Sequence, residues 1–136
     1  MDFLQKIGLN KIERIESGLQ KIVNKPNHFF SRIHVEDIAN ILEITLKQKK
    51  IKLGEIYNLS DDYPCSHIEV SNYAYNLMKI AKPKMIEIHE IKSEMLKNFY
   101  KDSKKVSNRK IKKVFSYKLK FPTYKEGLNS IFNHCV

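Results

Sequence analysis

The chain has 136 residues and a formal net charge of +10 at pH 7, from 25 Lys and Arg against 15 Asp and Glu. Apolar residues make up 42% of the chain, which excludes a protein that stays disordered for lack of core residues. This length fits a single domain, or part of one, over residues 1–136.

The sequence contains neither the apolar run of a membrane span nor the pattern of a secretion signal. No apolar run approaches the ~20 residues that cross a bilayer. Charges at Asp2, Lys6 and Lys11 leave no apolar core for a secretion signal. We therefore expect a cytoplasmic protein without a membrane partner.

The positive charge is weak evidence for a nucleic-acid partner. Of the basic residues 22 are Lys and 3 are Arg, while Ile and Asn are abundant and Ala is scarce, a pattern that an A+T-rich coding sequence produces in any protein. The densest basic stretch runs from Lys101 to Lys113. Ile111, Val114 and Phe115 mark an apolar side there, which favours the solvated face of a helix over an electrostatic footprint for nucleic acid.

The first half of the chain predicts two helices around a short strand. Helical spacing predicts a helix from Phe3 to Leu19 with a stop near Gly18, so residues 1–30 form an N-terminal helix and loop. Phe29 to Val35 has the composition of a strand. An amphipathic helix follows, capped by Glu36 or Asp37, with this apolar stripe: Ile38, Ile41, Leu42, Thr45 and Leu46.

The second half predicts two further strands and four helices. Glu55 to Ser60 has the character of a buried strand, and Met85 to Ile91 alternates like a half-exposed one. Ser66 and Glu69 form a capping-box pattern before a helix. The apolar stripe of that helix is Val70, Tyr73, Ala74, Leu77, Met78 and Ala81, and Tyr75 lies off it. Three shorter helices are predicted: one around Met95 to Tyr100, one from a Ser107 cap through Phe115, and one from about Thr123.

Motifs for catalysis and cofactor binding are missing. The glycines are isolated, so no G-x-G-x-x-G turn can cradle a dinucleotide. The pairs Tyr75/Lys79 and Tyr100/Lys104 match Y-x-x-x-K, but a chain with seven Tyr and 22 Lys produces such matches by chance. Cys65 and Cys135 have no metal-ligand spacing. We predict no catalytic residue, no cofactor-binding residue and no metal ligand.

His34 and Asp37 lie one helical turn apart, as metal ligands can. No further ligand accompanies them in the sequence, which favours a structural role for both. In that role His34 would bond the backbone and Asp37 would cap the helix.

A family resemblance comes from four strings taken together. FSRIHVEDIA at residues 30–39 and GEIYNLSDD at residues 54–62 resemble the second half of an extended short-chain dehydrogenase/reductase of the NAD-dependent epimerase/dehydratase group. KVSNR at residues 105–109 and FPTYKEGL at residues 121–128 resemble later segments of that half. The resemblance spans about residues 18–130.

The resemblance implies a partial protein. It assigns residues 31–136 to the C-terminal substrate-binding part of a Rossmann-type enzyme, α/β in the complete protein and α+β when isolated. The glycine-rich motif and the catalytic Tyr/Lys pair precede this part in the family. NAD or NADP is therefore implied for the complete family member and for none of this chain alone, and whether the chain is an enzyme stays open.

The resemblance also implies substrate contacts at Arg32, Lys105, Asn108 and Arg109. In many relatives an Arg in the strand before the His-Val pair contacts a sugar-nucleotide phosphate. Arg32 lies two residues later, so a substrate carboxylate or a structural partner is an equal alternative. For all four residues, capping or surface charge is the structural alternative.

Three functions remain open from the sequence. The chain is a truncated or split epimerase/dehydratase, either vestigial or completed by a separate chain that carries the Rossmann half. Alternatively it is a stand-alone binding module that self-associates through an exposed apolar face. The third and least favoured function is a basic nucleic-acid-binding protein.

Overall fold

The computed structural model describes residues 11–48 and 54–135, without the side chains of residues 134 and 135. Within these ranges the strands are β1 (Phe29–Phe30) and β2 (Cys65–Ser66). The helices are α1 (Lys11–Glu16), α2 (Val35–Lys47), α3 (His67–Met78), α4 (Glu94–Phe99), α5 (Arg109–Phe115) and α6 (Tyr124–Cys135).

The architecture is a mixed, helix-rich one with a two-stranded antiparallel sheet, consistent with the predicted α/β or α+β class. Phe29 pairs with Ser66 and Phe30 with Cys65. The predicted strand from Phe29 to Val35 is therefore confirmed only at its first two residues, and the predicted last residue, Val35, is the first residue of helix α2.

The predicted helix ends are confirmed where a local signal fixes them. α1 covers part of the predicted first helix, and residues 3–10 of that prediction lie outside the described residues. Gly18 stops it with a left-handed φ of 67°, a conformation in which glycine has no steric penalty. Ser66 caps α3 by accepting a hydrogen bond from the Glu69 backbone N–H at 3.0 Å. The helices predicted at Met95 and near Thr123 are α4 and α6.

Two predicted caps are wrong. His34, and neither Glu36 nor Asp37, is the N-cap of α2: its Nδ1 accepts from the Glu36 backbone N–H. Asn108 takes the N-cap position of α5, one residue after the predicted Ser107, but its side chain makes no cap bond, whereas the Ser107 hydroxyl accepts from the Arg109 N–H at 3.4 Å. His34 does bond the backbone, as predicted.

Asp37 has a structural role, but it does not cap α2. The residue is fully buried. Its carboxylate accepts from the Tyr117 hydroxyl at 2.6 Å, the Lys120 N–H at 2.8 Å and the Phe121 N–H at 3.0 Å. These bonds hold the segment that precedes α6 against the first turn of α2.

Helix α2 is apolar on two opposite faces rather than on the single predicted stripe. Ile41 and Ile44 pack against Ile111 and Phe115 of α5. Val35, Ala39, Leu42 and Leu46 follow the i, i+4, i+7, i+11 spacing of one helical face, and all four are exposed. The outer face of α2 therefore has no cover within the described part of the chain.

The other two strand predictions are wrong. Residues 55–60 run without a strand partner among the described residues, and Ile56 is 80% exposed rather than buried. Residues 85–91 contain a single parallel bridge, Ile86 with Val23, followed by a 3-10 turn at Ile88–Glu90. The Glu87 and Glu90 side chains close that turn as a capping box, which the alternating pattern conceals.

Apolar side chains form three clusters. The largest joins α1, α3 and α6 and includes Tyr75, which lies in the core instead of off it. The second surrounds Val23, Ile91 and Tyr100, and the third joins α2 and α5. Among the described residues, no helix combines the length and the apolar character needed to cross a bilayer.

Substituting Asp37 tests the linkage between α2 and the segment before α6. Asp37→Asn replaces an acceptor oxygen with a donor group, so at least one of three buried donors loses its partner. We expect a loss of about 2–4 kcal/mol in the free energy of unfolding, measured by urea denaturation. Glu36→Gln, at a half-exposed neighbour that pairs with Lys120, should cost less than about 1 kcal/mol. An equal loss in both variants would contradict the linkage.

Candidate functional site

A cavity of about 220 Å³ lies between the first turns of α1, α2, α3 and α6. Apolar side chains cover most of its wall: Ile33, Val70, Phe121, Tyr124, Leu128 and Ile131. The polar and charged groups that reach it are Lys11, Arg32, His34, Asp61, His67 and Thr123. A mostly apolar pocket with a few convergent charges is the usual form of a small-molecule site.

The guanidinium group of Arg32 is held by hydrogen bonds from one of its nitrogens, Nη1. Nη1 donates to the Cys65 carbonyl at 3.0 Å and to the Phe30 carbonyl at 3.4 Å. These bonds tie the residue that follows β1 to the first residue of β2. In the described structure all hydrogen bonds of this side chain use Nη1, so Nε and Nη2 remain as donors for a ligand.

His34 lines the cavity with its ring and carries a buried donor that is closed to solvent. Its Nδ1 accepts from the Glu36 N–H at 3.2 Å, so the neutral ring carries its proton on Nε2. Nε2 is buried and has no hydrogen-bond partner in the described part of the protein. The ring lies 3.8 Å from the ring of Phe121, centroid to centroid. Because this nitrogen is closed to solvent, a ligand in the cavity is bound by the other polar groups of its wall.

Gly127 allows α6 to approach the His34 ring. A Cβ at this position would lie 3.2 Å from Cδ2 of His34, closer than most real Cβ contacts. The ring has little room to move, because the cap bond holds Nδ1 and Phe121 covers one face. A glycine inside a helix normally costs stability, so close approach is the physical reason for it here.

Two cations, Lys11 and Arg32, make the cavity a positive environment. The pKa of Lys11 is lowered to about 8, first by burial and then by repulsion from Arg32 and Arg14. Burial also lowers the pKa of His67 to about 4, so this ring is neutral at pH 7. Asp61 is the one acidic side chain on the described wall.

Burial raises the pKa of Asp61 to about 6, since the Tyr63 N–H and Arg32 offset it only in part. The carboxyl group accepts from that N–H at 3.0 Å. At pH 7 the side chain is mostly charged, and it balances one of the two cations. The cavity therefore keeps a net charge of about +1.

Of the four predicted substrate contacts, only Arg32 lines this cavity. Asn108 donates to the Ser60 carbonyl at 2.9 Å and to Asp62 at 2.7 Å, so it holds the chain at the end of the 55–60 segment. Lys105 lies over the Phe29 ring, 4.1 Å from its centroid. Arg109 is exposed at the start of α5.

The remaining sequence motifs lie elsewhere. Tyr75 and Tyr100 are both buried in core clusters, where burial raises their pKa. In the basic stretch, Lys104 pairs with Asp102 and Lys112 with Asp62, while Lys110 pairs with Glu55. Within the described ranges, no three side chains of His, Cys, Asp or Glu come together as metal ligands.

Sequence reasoning missed Lys11, Asp61, His67 and Gly127 as neighbours of Arg32 and His34. These residues come from separate elements, so no spacing motif joins them. The isolated Gly127 inside the predicted last helix was a usable signal, because it marks a position where a side chain does not fit.

Comparison with solved structures shows what this chain is similar to. A solved structure of a functionally unknown conserved protein from Silicibacter pomeroyi DSS is similar to this chain, with 30% identity and a TM-score of 0.78. The match covers 96% of this chain and 43% of that protein, so this chain spans less than half of its length. No protein-family model and no curated protein matches the chain.

Substituting Gly127 tests the close approach of α6 to His34. Gly127→Ala gains up to about 1 kcal/mol in helix propensity, but we expect a net loss of about 1–2 kcal/mol because the methyl group displaces the His34 ring. Thermal unfolding would measure the change. Asn133→Ala, at an exposed position of the same helix, carries only the propensity effect and should not destabilise. A stabilised Gly127→Ala protein would contradict the packing.

Substituting Asp61 tests the electrostatics of the cavity. A raised carboxyl pKa means that the folded state is most stable when the group is protonated and loses stability as the pH rises from about 4 to about 6. Asp61→Asn keeps an acceptor for the Tyr63 N–H and removes the buried charge. It should raise the free energy of unfolding at pH 7 by about 1–3 kcal/mol.

The pH dependence distinguishes this effect from a simple packing change. The gain from Asp61→Asn should shrink as the pH falls below 6 and vanish near pH 4, as followed by urea denaturation across this range. Asp102→Asn, at an exposed carboxylate, should show no such gain. A gain that is constant from pH 4 to pH 7 would rule out the buried charge as its cause.

Proposed function

We propose that this chain is the C-terminal, substrate-binding half of an NAD(P)-dependent epimerase/dehydratase, inactive alone and completed by a separate chain that supplies the Rossmann half and the dinucleotide. The observation that carries the proposal is a helix with an uncovered apolar face beside an extended segment without a strand partner.

The uncovered face belongs to α2. Val35 is 70% exposed and Leu46 is 87% exposed, although both are large apolar residues. Leu42 completes the same face of the helix. Burying a side chain of this size contributes roughly 1.5–3 kcal/mol, so several of them on one face favour association with another surface. A helix that is apolar on both sides is suited to a position between two layers of a protein.

The extended segment, residues 55–60, supports the same arrangement. Tyr57 and Leu59 pack against the cluster that joins α2 and α5, while Ile56 and Asn58 are exposed. This alternation is that of a strand with one face on a core. No backbone–backbone hydrogen bond holds the segment within the described part of the chain. The carbonyls of Ile56 and Ser60 accept from the side chains of Lys110 and Asn108, and the backbone groups between these two residues are suited to pairing with a strand of another chain.

The comparison with the Silicibacter pomeroyi protein supports a partial protein. Nearly all of this chain matches less than half of that one. In the Silicibacter pomeroyi protein the matched fold is part of a longer chain, and the matched residues do not include the rest of that chain. An uncovered helix face and an unpaired segment are consistent with such a fold.

The alternatives divide on what covers this face. A stand-alone binding module would cover it by self-association, and the cavity beside Arg32 favours a binding role of some kind. A nucleic-acid partner is not favoured, because three lysines of the basic stretch are already paired with carboxylates.

Substitutions on α2 test the proposal. We expect that co-expression with the product of an adjacent reading frame that encodes a glycine-rich turn and Y-x-x-x-K gives a stable heterodimer. That complex should bind NADH or NADPH, and this chain alone should bind neither. Leu46→Lys should abolish the heterodimer while leaving the melting temperature of the isolated chain within about 2 °C, because Leu46 is already exposed.

Gln48→Lys is the matched control, since it adds the same charge at an exposed position off the apolar face. It should leave the heterodimer intact. Micromolar binding of NAD(P)H by the isolated chain would contradict the proposal. A homodimer that Leu46→Lys disrupts, with no heterodimer formed, would support the self-associating module instead.

A further inference from the structure

We propose that the cavity beside Arg32 binds a small monoanionic organic carboxylate, with the carboxylate on Arg32 and Lys11 and the apolar part of the molecule between α3 and α6. The proposal goes beyond the function above, because it concerns what this chain binds without any second chain.

The polar end of the cavity has unused donors. Arg32 keeps Nε and Nη2, because its hydrogen bonds within the described residues all use Nη1. Lys11 donates no hydrogen bond within the described residues. Guanidinium groups bind carboxylates through two parallel N–H···O bonds, so a planar carboxylate fits the free edge of Arg32. The remaining lone pairs of its two oxygens are available to Lys11.

Charge selects an anion and limits its valence. Lys11 and Arg32 repel one another inside the cavity, and an anion removes that repulsion. Asp61 lines the same wall and opposes a second negative charge on the ligand. With His67 neutral, the net charge of about +1 matches a carboxylate better than a doubly charged phosphate.

The remainder of the cavity is apolar and small. Val70, Phe121, Leu128 and Ile131 provide a wall without charge. A volume of about 220 Å³ lies below the roughly 300–1,000 Å³ of pockets that enclose drug-sized ligands. A short aliphatic or aromatic chain fits this space, whereas a sugar nucleotide exceeds it.

Hexanoate is a probe with these features, and calorimetry with the isolated chain at pH 7 tests the proposal. Hexanoate should bind at least ten times more tightly than hexan-1-ol, which has the same chain without the charge. Hexylammonium should not bind. Inorganic phosphate should bind more weakly than hexanoate, because it has no apolar part and carries more charge.

Lys11→Met tests the polar end, with Lys118→Met as the matched control at an exposed lysine outside the cavity. Lys11→Met should weaken hexanoate binding about tenfold, the effect of losing one charged hydrogen bond. Because it removes a buried and repelled charge, it should also raise the melting temperature of the unliganded chain. Lys118→Met should change neither quantity. A gain in stability together with a loss of affinity is not produced by general unfolding.

Three results would overturn the proposal. They are equal binding of hexan-1-ol and hexanoate, tighter binding of phosphate than of hexanoate, and unchanged hexanoate affinity in Lys11→Met. None of these measurements involves a second chain, so their failure leaves the heterodimer experiment unaffected, and the reverse also holds.

Discussion

The carboxylate of Asp37 is fully buried and accepts hydrogen bonds from Tyr117, Lys120 and Phe121. A buried carboxylate is costly unless its oxygens have partners, so these three donors also determine where the segment before α6 can run. The segment places Phe121 against His34 and brings α6 to the wall of the cavity. Asp37 therefore fixes the segment before α6 on the first turn of α2, and the packing of α6 on α1 and α3 sets the rest of the cavity wall.

The features predicted from sequence are those that local interactions determine. Ser66 caps a helix through a bond to a residue three positions later, and Gly18 ends one through its own φ angle. Strands depend on a distant partner, and the apolar pattern of residues 55–60 is that of a strand whether or not a partner is present. Residues 85–91 alternate in the same way, yet two glutamates close a 3-10 turn there. Alternation indicates which side chains face a core and leaves the hydrogen bonding of the backbone open.

The candidate site was predictable only in part, for a related reason. Arg32 was identified through a resemblance of the surrounding string, and His34 through its spacing of one helical turn from Asp37. Lys11 and Asp61 were not, because Lys11 approaches Arg32 only after α1 packs on α3 and α6, and Asp61 does so through the bond from its backbone N–H to the distant Arg32 carbonyl. Asn108 illustrates the opposite case: it belongs to a string that resembles a family segment, but here it bonds the backbone and a carboxylate of its own chain.

The cavity and the uncovered face of α2 meet at one residue. His34 caps α2 through Nδ1, and its Nε2 is the buried donor beside the cavity. A ligand bound by Arg32 and Lys11 does not use Nδ1, so the cap bond stays in place. A ligand can therefore occupy the cavity without disturbing the start of α2. Leu42 and Leu46 lie more than two turns along α2 from His34, so covering the outer face there does not require any movement of the His34 ring. Small-molecule binding and association with another chain are thus physically separable in this protein.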